Sequence, residues 1–248
     1  PSDAADIAEL RAALLSKPPQ IPSKYFYDTQ GSVLFEQITE TPEYYPTRTE
    51  IGLLERHAAA MLAELQPVEI AELGSGSGRK TELLVEAGRA AGSLRRLSLL
   101  DIADEFLHES ANRMAARWPD LEIHPVVGDF TADLDHLGDA PGRRLLVFLA
   151  GTIGNLNAAA VDTFLRAASA LLVAGGADDG DNGDALLLGV DLVKPEPRLV
   201  AAYDDAAGVT AAFNLNILDV VNGRFGGDFE VDAFAHAARW NADERRIE

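Results

Sequence analysis

The sequence predicts an α/β protein built on a doubly wound, Rossmann-like parallel sheet, with helical segments before and after it. Three observations carry that expectation. Between Val68 and Leu192, five short apolar runs alternate with helical stretches, the pattern that right-handed crossovers gather into one parallel sheet. The first run ends in a turn with glycines at 74, 76 and 78 and a helix behind it. Polar residues recur just after successive runs, where open parallel sheets bind their ligands.

The elements follow in order. Residues 1–66 form a helical or lid-like N-terminal segment. Asp3–Leu15 has apolar residues at helical spacing, and the prolines at 18, 19 and 22 break it. Ser32–Thr39 reads as a short helix. In Thr41–Glu50, Pro42 and Pro46 frame Tyr44 and Tyr45; this stretch reads either as core packing or as a lid. Thr47 and Glu50 have the spacing of a capping box that opens a long helix to about Leu65.

Residues 67–193 form the sheet domain. The strands are expected at Val68–Leu73, Leu97–Asp101, Leu121–Val127, Arg144–Ala150 and Ala185–Leu192. Helices are expected at Arg79–Ala87, stopped by Gly88, and at Glu105–Trp118 and Ala158–Val173. Ala174–Asp184 reads as an acidic, glycine-rich, mobile loop. Residues 194–248 form a partial helical subdomain with three helices, beginning near Lys194, at Val209–Asn222 (broken by Gly223–Gly227) and at Asp228–Trp240, and with no strand.

Composition excludes several classes. The chain has 248 residues, 47% of them hydrophobic and 25% charged, as in ordinary globular proteins. It has no cysteine, so disulfides and cysteine-ligated metals are ruled out. The five histidines stand singly, without metal-ligand spacing, so no metal is expected. A formal charge of −19 with no Lys/Arg cluster argues against nucleic acid. Neither a membrane span nor a signal pattern is visible, so a cytoplasmic protein is expected. Mutual repulsion of acidic surfaces favours a monomer.

The glycine turn narrows the chemistry. Arg79 interrupts a phosphate-binding Walker pattern, and the spacing is not the G-x-G-x-x-G of dinucleotide sites. Glu72, Gly74, Gly76 and Gly78 instead resemble motif I of class I S-adenosylmethionine (SAM) methyltransferases; a plain glycine-rich strand–helix turn is the other reading. Asp101 ends the second strand, where a carboxylate can accept both hydroxyls of a ribose. Asp129 and Phe130 follow the third; they can take an adenine amino group and cover the ring. Asn155 follows the fourth. A single such residue reads as a cap or turn residue, but three on successive strand ends after this turn read as a site.

Several further stretches carry a closer resemblance: KYFYD (24–28), TPEYYPTRTE (41–50), ELGSGSGRKT (72–81), VVGDF (126–130), FLAGTIGNL (148–156), GVDLVK (189–194) and YDDAAGVTAAFN (203–214). Together, from about Pro22 onward, they resemble the bacterial L-histidine Nα-methyltransferases of ergothioneine biosynthesis. The resemblance implies transfer of three methyl groups from SAM to the α-amine of L-histidine, giving hercynine. It implies that Tyr27, Gly74, Lys80, Asp101, Asp129 and Phe130 hold SAM. Asn155 and Tyr203 would bind the substrate carboxylate, with Tyr44 near the imidazole. Tyr27 and Asn155 would stand beside the reacting amine. The family often has Gly-Ser where this chain has Ala150-Gly151. Its members continue through further strands, so the strands that complete the sheet, and a Glu and a Ser that recognise imidazole, are expected to lie outside this sequence.

The implied reaction is an SN2 attack by a neutral amine, whose pKa near roughly 8 leaves a usable neutral fraction at cellular pH. Alignment alone can supply about 7–11 kcal/mol, so no strong base is required. Neutral donors on the carboxylate avoid a second buried charge beside the sulfonium. Two rivals stand beside this reading. One is methylation of another amine such as tryptophan, since fungal relatives of the family act on a tryptophan derivative. The other is a non-catalytic SAM-binding module.

Overall fold

A computed structural model of the chain describes residues 3–174 and 183–248. They divide into two compact units: Tyr45–Leu192, and the segments up to Tyr44 and from Val193 onward. Most of the acidic stretch 174–184, expected as a mobile loop, lies outside the described residues.

The larger unit is the predicted sheet. Its strands are β1 (Glu69–Leu73), β2 (Arg96–Asp101), β3 (Glu122–Val127), β4 (Arg144–Phe148) and β5 (Ala185–Leu188). All pair in parallel, in the order β3-β2-β1-β4-β5. The chain winds outward from β1 to β3 and then returns to β4, so the strand order reverses between β1 and β4. Both faces are covered, which is why the strands read as near-continuous apolar runs. Ile70, Leu97, Leu99, Leu145 and Val147 pack on one face with the helix residues Leu54, Leu84 and Met114. Ala71, Leu73, Leu100, Leu146 and Phe148 pack on the other with Phe164 and Leu137. The alternation along each strand follows its two-residue period.

The helices of this unit are α3 (Tyr45–Leu65), α4 (Arg79–Ala91), α5 (Asp104–Arg117) and α6 (Ala158–Ala174). Three expectations need correction. The helix α3 belongs to the sheet unit, and it already begins at Tyr45. Pro46 is tolerated in a first turn, where no intrahelical partner awaits its missing N–H. Thr47 therefore lies inside the helix and forms no capping box. Helix α4 does not stop at Gly88. That glycine is buried, and a Cβ there would meet Leu94 at 3.2 Å. The stop is Gly92, left-handed at φ 84°, whose N–H donates to the Arg89 carbonyl. Strands β4 and β5 end at Phe148 and Leu188, short of the predicted Ala150 and Leu192.

The smaller unit contains α1 (Asp3–Leu14), α2 (Thr29–Glu40), α7 (Glu196–Ala202) and α8 (Val209–Phe225). Asp28 caps α2 by accepting the Gly31 N–H at 2.7 Å. Buried Asp205 caps α8 from both oxygens, taking the N–H groups of Val209 and Thr210. Leu10, Tyr25, Ile217, Leu218 and Val221 form its core. Gly223 does not end α8; Gly226, left-handed at φ 69°, does. The predicted helix at Asp228–Trp240 is absent. The Asn222 side chain donates to the Phe229 carbonyl and accepts its N–H, which keeps that segment extended. A single 3-10 turn follows at Val231–Ala233. The predicted absence of strands also fails: β6 (Trp240–Asn241) and β7 (Arg246–Ile247) form an antiparallel pair. Asn241 closes their turn by accepting the Glu244 N–H.

Candidate active site

The carboxyl ends of β1, β2, β3 and β4 hold one group of predicted residues. Gly74, Gly76 and Gly78 are all left-handed, at φ 67°, 50° and 73°. An added Cβ at Gly74 or Gly76 would meet nothing within 4 Å, so open space lies before both backbones. At Gly78 it would strike the Met114 side chain. The turn is held in place by Ser110 Oγ, 3.1 Å from the Gly76 carbonyl, and by Arg113 on the Ser77 carbonyl.

Asp101 stands opposite this turn. One carboxylate oxygen accepts the Gly76 N–H at 3.2 Å and the other the Ala103 N–H at 3.0 Å. Burial holds its carboxyl above the ordinary aspartate range, against the pull of those N–H donors. The carboxylate has about four lone-pair sites, so capacity remains for a ligand hydroxyl. Asp129 builds a local turn: its Oδ1 accepts both the N–H and the hydroxyl of Thr131. Phe130 docks on Phe148 and Phe164, with ring centroids 4.9 and 6.4 Å away. Asn155 is exposed on the 3-10 turn Thr152–Asn155.

Beneath the turn lie acids whose contribution the sequence did not disclose. Glu72 is 2% exposed and accepts the Thr81 hydroxyl. Burial pushes its carboxyl up to about 7; Thr81 and Lys80 pull it down, while Glu50 and Asp101 push with burial. Lys80, in the first turn of α4, pairs with Glu50 at 2.7 Å. The Tyr45 hydroxyl donates to Asp191, beyond β5. Glu50 and Asp191 both lie in stretches that carried the resemblance, yet nothing in their spacing marked them as partners of these groups.

The smaller unit gathers the predicted tyrosines. Tyr27 meets Phe35 and Phe213, each at 5.9 Å between ring centroids. Phe35 meets Tyr44 at 6.3 Å, and Tyr44 meets Tyr203 at 5.9 Å. Tyr27, Tyr44 and Tyr203 therefore lie on one aromatic chain through Phe35. Tyr44 is buried and Tyr203 is exposed. The Tyr203 carbonyl accepts from His236 Nε2 at 2.7 Å, and the Asn214 amide lies 3.0 Å from Nδ1. That pattern assigns the Nε2–H tautomer to His236. It makes His236 a satisfied structural residue, as the single histidines were expected to be.

The strand-end residues fit SAM. Two bare glycine backbones face open space, a carboxylate waits at the second strand end, and the buried Ser75 hydroxyl has no hydrogen-bond partner among the described residues. A methionine moiety and a ribose are ligands of the kind those groups lack. The model of histidine-specific, SAM-dependent methyltransferases matches residues 6–248.

The chain belongs to that family.

Among its relatives is the histidine N-alpha-methyltransferase of Mycolicibacterium smegmatis. It is 49% identical over 242 residues, which cover 97% of this chain and 72% of the relative. The Mycobacterium tuberculosis protein of the same name is 45% identical, with the same two coverages. Ergothioneine biosynthesis protein 1 of Neurospora crassa is 34% identical over 83% of this chain and 23% of its own length. Among the described residues, no group of three or more His, Asp or Glu could hold a metal ion, and no helix is long and apolar enough to cross a membrane.

Proposed function

We propose that the chain is a SAM-dependent Nα-methyltransferase that trimethylates L-histidine to hercynine in ergothioneine biosynthesis. The observation that carries this reading is an open glycine turn facing a strand-end carboxylate, in a chain of the histidine-specific family. Gly74 and Ser75 would line the methionine part of SAM, which supplies an electrophilic methyl on a sulfonium. Asp101 would accept the ribose hydroxyls. Asp129 would take the adenine amino group with its second oxygen, and Phe130 would cover the ring. Lys80 gives one N–H to Glu50 and has two more for the cofactor.

On the substrate side, Asn155 and Tyr203 would hold the carboxylate and Tyr44 would stand near the imidazole. Tyr27 would lie beside both the cofactor and the amine. All four are neutral, so none adds charge beside a sulfonium. The amine attacks in its neutral form, and the residues align it rather than deprotonate it. We further propose that the protein acts without metal, as a cytoplasmic monomer on a small molecule and not on nucleic acid or at a membrane; the charge of −19 supports mutual repulsion of its copies.

The test is mass spectrometry after the chain is incubated with SAM and a mixture of all amino acids. A product three methyl groups heavier than histidine is expected. Methylation of a different amino acid would keep the fold and cofactor and replace the substrate. Bound SAM with no methylated product would leave a binding module.

A further inference from the structure

Glu50 has lost the capping role that its spacing suggested, and its carboxylate is used elsewhere. Both of its oxygens lie within hydrogen-bond distance of the Ala150 N–H, at 3.1 and 3.0 Å. That N–H follows the end of β4 and goes to this side chain instead of to a neighbouring strand. Ala150 and Gly151 are consecutive left-handed residues, at φ 63° and 67°. For alanine that conformation costs about 1–2 kcal/mol, so the surroundings must hold it there. The turn beyond them is closed by the Thr152 hydroxyl on the Leu149 carbonyl at 3.0 Å and the Gly154 N–H on the Gly151 carbonyl at 2.8 Å. It delivers Asn155.

Two further features fix the Glu50 carboxylate. Lys80 balances its charge at 2.7 Å, with both side chains less than one-fifth exposed. Gly189, just beyond β5, leaves it room: any side chain there would strike Glu50 Oε1. Helix α3 thus reaches the ends of β4 and β5 through one acid.

We infer that Glu50 is a positioning residue: its carboxylate, balanced by Lys80, clamps the Ala150 N–H and fixes the left-handed turn that presents Asn155. The inference rests on the proposed role of Asn155 in binding the substrate. Glu50 touches neither reacting atom; it acts through the backbone.

The test combines amide exchange with turnover in three variants of the full chain. In Glu50→Ala, exchange of the Ala150 amide is expected to accelerate at least about tenfold. kcat for histidine should fall about ten- to a hundredfold, because the anchor is misplaced, with SAM affinity moving less. Glu50→Gln keeps an oxygen for the amide but gives up the Lys80 ion pair, and should fall between the parent and Glu50→Ala in both readouts. Glu50→Ala with Ala150→Gly should recover most of the lost kcat, since glycine holds φ near 63° without a clamp. Unchanged Ala150 exchange in Glu50→Ala overturns the inference. So does a kcat loss that glycine at 150 leaves unrepaired. Exchange is read without substrate, so failure of the parent to methylate histidine would refute the proposed reaction and leave the clamp to be judged on exchange.

Discussion

Glu69 and Glu72 stand three residues apart on β1, both buried, at opposite ends of the same strand. At the amino end, Glu69 accepts Arg144 Nε at 2.7 Å and Ser98 Oγ at 2.5 Å. Arg144 also reaches the Gly138 carbonyl at 2.9 Å. Glu69, Arg144 and Ser98 thus satisfy one another. At the carboxyl end, Glu72 has a hydroxyl in place of a cation and a raised pKa. At this end are left-handed glycines, a left-handed alanine and a Ser75 hydroxyl with no partner among the described residues. The Glu69–Arg144 cluster keeps the fold; the carboxyl end combines a raised acid with left-handed backbone around an open turn, which a ligand can complete.

Breaking the amino end should have the largest effect. Arg144→Met leaves Glu69 charged and buried, at a cost of about 3–5 kcal/mol. A loss of about ten degrees in Tm is expected in calorimetry; a shift of a degree or two would mean that the pair contributes little.

The carboxyl end should respond in the opposite sense. The folded Glu72 carboxyl titrates near 7, against an ordinary value of 4.5. The folded state therefore holds a proton that the unfolded state has already released, and stability drains away as pH rises through that window. Glu72→Gln removes the penalty. It should match the parent near pH 4.5 and exceed it by on the order of 3 kcal/mol above pH 7. Denaturant titrations at pH 5 and pH 8 check this, and a gap that does not grow with pH would contradict it.

Asp101→Asn tests the ligand side of the comparison. The proposed charge-assisted hydrogen bonds from the ribose to Asp101 would be worth about 1.5–3 kcal/mol, so SAM affinity should fall roughly ten- to a hundredfold by calorimetry. The accompanying Tm change should stay below that of Arg144→Met. The smallest effect belongs to Ala150→Gly, which relieves a left-handed alanine and loses some unfolded-state restriction. A net gain of about 0.5–1 kcal/mol, or one to three degrees in Tm, is expected.

Much of this was legible in the sequence. The five strands follow from apolar runs long enough to be buried on both faces, and the glycine turn follows from residues that alone tolerate its backbone. Boundaries were less legible where a residue type had two uses. Gly88 punctuates loops elsewhere but here admits Leu94 against a helix. The apolar residues of Asp228–Trp240 have helical density, but the Asn222 amide captures the Phe229 backbone first. In the candidate site, the meeting of Asp101 with the glycine turn was readable because their positions at strand ends dictate what they can face.

The sequence by itself determined the fold class, the glycine turn and the family, because strand periodicity, glycine conformation and ordered motifs are local properties of the chain. Only the tertiary structure decided what each acid does. Thr47 and Glu50 have the spacing of a cap, yet Glu50 reaches Lys80 and Ala150, 30 and 100 residues away. Glu69 and Glu72 are the same residue type on one strand, yet one meets an arginine and the other a threonine. The charge and hydrogen bonding of a buried acid are set by partners that folding alone brings near, which no local pattern encodes.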